Sequence, residues 1–239
     1  MKTIFTDYRK KNSRATMMIV VLSCLLMAVV DTYLIPGYFL KSTSKILLLA
    51  GVPVVYSLWN HDIRLTSVLE SRRDGKSNFR TPLILGASVY VLILAVFILI
   101  SGFVDLEQIK GTLSETLQVN SGNFFFVAAY IAIVNSLLEE FFFRGFAFLK
   151  LREWTSYGFS HVFSALAFAL YHVAILKGWV SPLLTMAAIL GLFGTGIFFN
   201  WLNERNGNIY NSYVVHMFAN FAINTIGLHM YGIIRLPFL

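Results

Sequence analysis

The chain has 239 residues, of which 57% are apolar and only 13% charged, and its mean hydropathy is +0.69. An ordinary soluble domain is about a quarter charged, so this composition excludes a soluble globular fold and points to a protein embedded in lipid. The formal net charge of +7 does not imply nucleic acid, because the basic residues are spread over short segments between apolar stretches, where attraction to anionic lipid accounts for them. No nucleic-acid partner is expected, whereas contact with membrane lipid is.

Apolar stretches occupy roughly 17–39, 45–59, 82–104, 123–149, 157–176, 181–202 and 212–234. A membrane-crossing helix needs about 20 such residues, so most of these qualify and only the second is short. The expected fold is an all-α polytopic transmembrane bundle of about seven spans, within a range of six to eight. The first stretch follows a basic segment, as a signal peptide would. It is too long for that, carries Asp31 and lacks a small-x-small cleavage site, so it reads as a retained helix. Cys24 is the only cysteine and excludes an intrachain disulfide or a cysteine-based metal cluster.

The basic residues set an orientation. Lys2, Arg9, Lys10, Lys11 and Arg14 precede the first stretch; Arg64, Arg72, Arg73, Lys76 and Arg80 follow the second; Lys150, Arg152 and Arg205 follow the fourth and sixth. The other side carries only Lys41, Lys45, Lys110, Lys177 and Arg235. The positive-inside rule then makes the N-terminus cytoplasmic, in a multi-pass protein of the cell membrane. The segment from His61 to Arg80 is expected as a charged loop, partly helical and lying on the membrane surface. Its run Arg72-Arg73-Asp74-Gly75-Lys76-Ser77 reads as solvated turn.

The two halves differ. Residues 1–122 carry the N-terminal helices and the charged loop, and little polar content within the membrane beyond Asp31. Residues 123–239 hold Glu139, Glu140, Arg144, His161, His172, His216, His229 and several asparagines, and are expected to carry nearly all the buried polar chemistry of a single integral membrane domain. Gly191, Gly194 and Gly196 read as a seam for close helix packing. No phosphate-binding Lys-Ser/Thr follows them.

A carboxylate at bilayer depth costs ~2.5–3.5 kcal/mol even on lenient scales, so Glu139 and Glu140 inside Leu137-Leu138-Glu139-Glu140-Phe141-Phe142-Phe143-Arg144 need a reason. Residues four apart share a helix face, which pairs Glu140 with Arg144, Phe168 with His172, and His216 with Asn220. An ion pair of Glu140 with Arg144 leaves Glu139 as a separate group with no cation nearby in sequence. A lone histidine in a helix is more often structural, and His161 and His229 are read so. His172 and His216 have polar or aromatic company and are the better candidates. A glutamate and a histidine in a dry pocket can deprotonate water, while a second histidine and an amide can stabilise an oxyanion. No His-Glu-x-x-His, Gly-x-Ser-Gly or Gly-x-Gly-Asp string occurs, which argues against zincin, rhomboid and presenilin-like chemistry.

The ordered motifs Glu139-Glu140-x-x-x-Arg144, Phe168-x-x-x-His172 and His216-x-x-x-Asn220, with the string running on to Gly145, resemble those of the CPBP family, the CAAX proteases and bacteriocin-processing enzymes also called the ABI family. The resemblance covers about residues 123–225 and implies that residues 123–239 form the catalytic helical core. It implies an intramembrane peptidase related to the Ras-converting CAAX endopeptidase and closest in build to its bacterial branch, where relatives serve in bacteriocin processing or immunity. By that analogy Glu139 and His172 activate water, His216 and Asn220 form the oxyanion hole, and Glu140, Arg144 and Phe168 support them. The substrate would be a membrane-associated peptide or protein. No cofactor is expected; Glu139, His172 and His216 would be the ligands if zinc were present, though no spacing demands it. Two other readings stand beside this one. A non-catalytic scaffold or immunity protein of the same family would be expected to lose a motif residue. A proton-coupled transporter would show matching repeats in its halves. One geometric difficulty also arises: counted from the expected helix ends, His172 lies near the outer end of its helix and His216 near the cytoplasmic start of its own, yet both must reach Glu139.

Overall fold

The computed structural model describes residues 2–33, 37–70 and 80–236, and every regular element among them is helical. The Arg72–Ser77 run lies outside the described residues. In chain order the helices are α1 (Lys2–Tyr33), α2 (Tyr38–Trp59), α3 (Arg80–Ile100), the short amphipathic α4 (Leu106–Leu117), α5 (Phe124–Lys150), α6 (Tyr157–Leu176), α7 (Pro182–Glu204) and α8 (Tyr210–Met230). Six of them, α1, α2, α3, α5, α6 and α7, are long and apolar enough to cross a membrane. Helix α8 has 21 residues, a matching length, but His216, Asn220, Asn224 and His229 dilute its apolar content. It runs antiparallel along α5 from His216 beside Glu140 to Asn224 beside Ala128. The protein is a multi-pass membrane helical bundle.

Burial is inverted relative to a soluble protein. Leu22, Leu25 and Leu26 of α1 and Ile84, Val91 and Leu92 of α3 are exposed, while Glu139, Glu140, Arg144, Asn200 and Asn203 are buried. Lipid tails solvate the first group as well as any core would, whereas polar groups must find partners inside. Helix α5 is the axis. Its Phe142, Phe143 and Phe146 are fully buried and pack with Val20 and Met27 of α1, Leu49 of α2 and Phe168 of α6. On the far side, α3 packs on α8, where Gly86 lets Phe218 approach so closely that a Cβ would sit 2.6 Å from its ring.

Helix α2 begins at Tyr38 rather than near residue 45, which gives it full membrane-crossing length and puts Lys45 inside it. Both α2 and α5 widen into π-helical turns, at Ile46–Gly51, Ile131–Asn135 and Glu140–Lys150. Such turns are uncommon and gather at functional sites.

One local expectation gains detail and one is corrected. The described part of the loop after α2 is partly helical and folds under the end of α5 through a 3₁₀ turn, Leu65–Val68, that buries Ile63, Leu65 and Val68. Each such side chain gains ~1.5–3 kcal/mol by leaving water. Gly145 makes the fit possible, since a Cβ there would meet Val68 Cγ2 at 3.0 Å. The backbone N–H of Ile209 donates to Val68 O at 3.2 Å and closes the plug. Of the expected glycine seam, only Gly196 serves close packing: a Cβ would lie 2.8 Å from Cα of Ala165 on α6, whereas Gly191 and Gly194 face open space.

Candidate functional site

Glu140 is completely buried and holds three groups. Its Oε1 accepts from Nδ1 of His216 at 2.9 Å and lies 3.2 Å from Nη1 of Arg144, and its Oε2 accepts from the Ser212 hydroxyl. The expected pairing with Arg144 is therefore present. It is an ion pair without an aligned hydrogen bond, because no nitrogen of the guanidinium has a hydrogen-bond partner. The Arg144 group instead lies against the rings of Phe168 at 4.0 Å and Phe199 at 5.0 Å, where the π-faces attract a desolvated cation. Phe168 thus stacks under Arg144 and meets the His172 ring edge-on at 4.7 Å.

Glu139 turns to the other side of α5. Its Oε1 accepts from the Asn135 amide at 2.9 Å, and its Oε2 faces Nε2 of His172 at 3.9 Å and Nε2 of His216 at 3.8 Å. Each ring is aimed by its other nitrogen. Nδ1 of His172 is 2.7 Å from Phe168 O, and a carbonyl only accepts, so Nδ1 carries the proton and Nε2 is left basic. Nδ1 of His216 is bonded to the Glu140 carboxylate, which directs its Nε2 at Glu139. Two adjacent glutamates thus divide the work, Glu140 orienting His216 and Glu139 facing the open edges of both rings.

The depth difficulty disappears because helix ends do not mark depth. The Ser164 hydroxyl donates to Phe143 O at 2.7 Å, which sets the register of α6 on α5. His172 then lies one turn beyond Glu139, and its ring leans back toward the helix N-terminus, as helical side chains do. Helix α6 ends only a turn later, while α5 continues from Glu139 to Phe124.

Asn220 sits one turn along α8 from His216, and its Nδ2 donates to the Ser136 hydroxyl at 2.8 Å and to Ile131 O at 3.4 Å. Asn224 repeats the contact one turn further, on Ala128 O at 2.8 Å. Side-chain donors from α8 therefore meet α5 at and beside its widened stretch, and both N–H groups of Asn220 are used there. His161 is bound into a separate cluster at the other end of the bundle. Its Nε2 is 3.9 Å from Glu204, which also holds Arg152 at 3.1 Å and accepts from Tyr157 at 2.9 Å. His229 accepts from the backbone N–H of Leu236 at 3.3 Å, beyond the end of α8.

The residue that sequence reasoning missed is Lys45. Its Nζ donates to Asn135 Oδ1 at 3.0 Å and lies 3.9 Å from Glu139 Oε1, with its side chain only 17% exposed. It had been counted as a flanking charge because α2 was expected to start at that point. A full-length second span would have exposed it as a lysine at membrane depth, which is by default a functional signal. With Lys45 included, the two carboxylates are matched by two cations.

Among the described residues, no group of three or more His, Cys, Asp or Glu side chains is gathered as a metal ion requires. Zinc ligands lie about 2.0–2.2 Å from the metal, which puts two ligands of one tetrahedral ion roughly 3.3–3.5 Å apart. Glu139 Oε2 stands 3.9 and 3.8 Å from Nε2 of His172 and His216, and these three are the side chains that would hold zinc.

Residues 121–222 match the family described as type II CAAX prenyl endopeptidase Rce1-like. The matched region runs from the start of α5 into α8 and contains Glu139, Glu140, Arg144, His172, His216 and Asn220. Neither the curated proteins nor the solved structures gave a significant match.

Proposed function

We propose that this chain, whose residues 121–222 match the Rce1-like type II CAAX prenyl endopeptidase family, is an intramembrane endopeptidase that hydrolyses a membrane-associated peptide or protein with water as the nucleophile. The observation that carries the reading is the placement of Glu139 Oε2 opposite two imidazole Nε2 atoms at 3.9 and 3.8 Å, inside a membrane bundle. These gaps are too long for direct hydrogen bonds and suit a bridging water at about 2.8 Å from each partner.

In this mechanism the water donates one hydrogen bond to Glu139 and one to the basic Nε2 of His172. As its oxygen attacks the peptide carbonyl, Glu139 takes one proton and the carbonyl oxygen becomes the oxyanion. His216, held by Glu140, and Asn220 supply the stabilising donors. His216 can donate from Nε2 only as the imidazolium, the form for which Glu140 is the counter-ion. Asn220 has to release Ser136 or Ile131 to donate. The proton then passes to the departing amine as the C–N bond breaks, and the second proton of the water leaves with the new carboxyl group. Each donor aimed at an oxyanion contributes about 10²–10³ in rate. No step needs a metal. The bundle end bearing Arg9, Lys150 and Arg152 is assigned to the cytoplasm of a cell with this protein in its cell membrane, following the basic-residue asymmetry.

The test uses wild type, Glu139→Ala and His172→Ala, purified in detergent and matched for folding, on a membrane-peptide library read by mass spectrometry. Wild type is expected to cut, with both variants slower by about 10²–10⁴ and with chelator having no effect. Loss with chelator and restoration by zinc would replace the water-activating pair by a metal site. A wild type that cuts nothing, with variants that still bind a cellular partner, would make the protein a scaffold.

A further inference from the structure

Glu139 needs a cation, and its own helix does not supply one. Arg144 is committed to Glu140 and to two aromatic rings. The groups facing Glu139 are His172 from α6, His216 from α8 and Lys45 from α2, while Asn135 lies one turn back on α5. Around them stand the hydroxyls of Tyr38, Tyr130 and Tyr171, on which the Glu139 charge acts, and Asp31, which is tied to Lys41 at 3.4 Å. Of these groups only Lys45 carries a fixed positive charge toward Glu139.

The contacts form a closed triangle. Lys45 Nζ donates to Asn135 Oδ1 at 3.0 Å, Asn135 Nδ2 donates to Glu139 Oε1 at 2.9 Å, and Nζ lies 3.9 Å from that same oxygen. The bond from lysine fixes which way the Asn135 amide faces, since an ammonium group can only donate. The amide then has its Nδ2 free for the carboxylate. The Tyr171 ring closes the remaining side of the ammonium at 5.7 Å. Both partners, Lys45 and Asn135, meet Glu139 at its Oε1 edge and neither at Oε2.

We propose that Lys45 is a positioning residue of the active site: its ammonium group, with the Asn135 amide, holds the Glu139 carboxylate by Oε1 and leaves Oε2 to face His172 and His216. The second span is thereby a working part of the site although the family match begins only at residue 121. The proposal rests on the peptidase reading for its catalytic meaning and on the triangle alone for its physical content.

The test compares Lys45→Met, Lys45→Gln and Lys45→Arg in the full-length protein in detergent. Infrared spectra taken during acidification report protonation of Glu139, its band identified by subtraction of Glu139→Gln. Removing an adjacent opposite charge changes a carboxylate's protonation by about 1–3 pH units, so the band should emerge that much earlier on acidification in Lys45→Met and Lys45→Gln. Lys45→Arg should behave as wild type. Lys45→Gln keeps a donor for Asn135 without the charge and decides the matter if Lys45→Met does not fold. A Glu139 band indifferent to both neutral variants overturns the proposal. In the library assay, kcat should fall at least tenfold in the neutral variants, with KM little changed, and recover in Lys45→Arg. A wild type without cleavage sinks the peptidase reading, and the infrared result still decides Lys45.

Discussion

Replacing Arg144 with methionine removes the cation of a fully buried pair and leaves an unbranched apolar side chain two bonds shorter. At 3.2 Å and an effective dielectric of about 20, its attraction to Glu140 is about 5 kcal/mol before desolvation is set against it. The contact with Phe168 at 4.0 Å adds ~2 kcal/mol for a desolvated cation. Much of this offsets the cost of taking a guanidinium out of water, and none of its nitrogens recovers a hydrogen bond. What the substitution leaves is a buried carboxylate short of one partner, and breaking such a pair costs about 3–5 kcal/mol. His216 and Ser212 still hold Glu140, so the lower end, ~3 kcal/mol, is expected. The assay is reversible unfolding in mixed micelles of Arg144→Met, Glu140→Gln and the double variant. The double variant should be less damaged than the sum of the singles, with a coupling of ~2–3 kcal/mol. A single variant within ~1 kcal/mol of wild type, or a coupling below ~0.5 kcal/mol, would refute the pairing as the reason Arg144 sits in the membrane.

The glycines offer a sharp contrast on one helix. Gly196→Ala should destabilise by ~1–3 kcal/mol through its clash with Ala165, while Gly191→Ala, with open space around it, should be neutral or stabilising by up to ~1 kcal/mol; equal melting temperatures would contradict the α6–α7 packing. Asn220→Ala separates two roles. An oxyanion donor predicts a loss of about 10²–10³ in kcat with folding intact. A residue that only braces Ser136 and Ile131 predicts lower thermal stability with kcat within tenfold.

The spans were legible because an apolar run of membrane length has few other solutions. Contacts within one helix were legible too, since Glu140 and Arg144 at i, i+4 can hardly avoid each other. The facing of His216 toward Glu140 rather than Asn220 toward Glu139 was not, because helix spacing gives a face and says nothing of which donor another helix will claim. Lys45 was hidden by a boundary. Lys41, Ser42, Thr43 and Ser44 lower the hydropathy at the start of α2, so the apolar run begins late and the lysine looked like a flank. The plug formed by Ile63, Leu65 and Val68 was hidden by its charged setting between Asp62, Arg64 and Glu70. Three apolar side chains at such short spacing fit neither a helix period nor a strand, and only the gap under Gly145 explains them.

Lys45 is also made before Glu139. A chain threaded into the bilayer from its N-terminus has α2 in place when α5 emerges, and a lysine near a helix end can keep its ammonium at the interface by snorkelling until a partner comes. Glu140 and Arg144 then arrive already matched within one helix, and Glu139 meets a cation that is waiting for it. The linear order of the chain therefore lets the most costly helix enter lipid without a bare carboxylate. A circular permutant that put α5 ahead of α2 would have the same final contacts and a harder route to them.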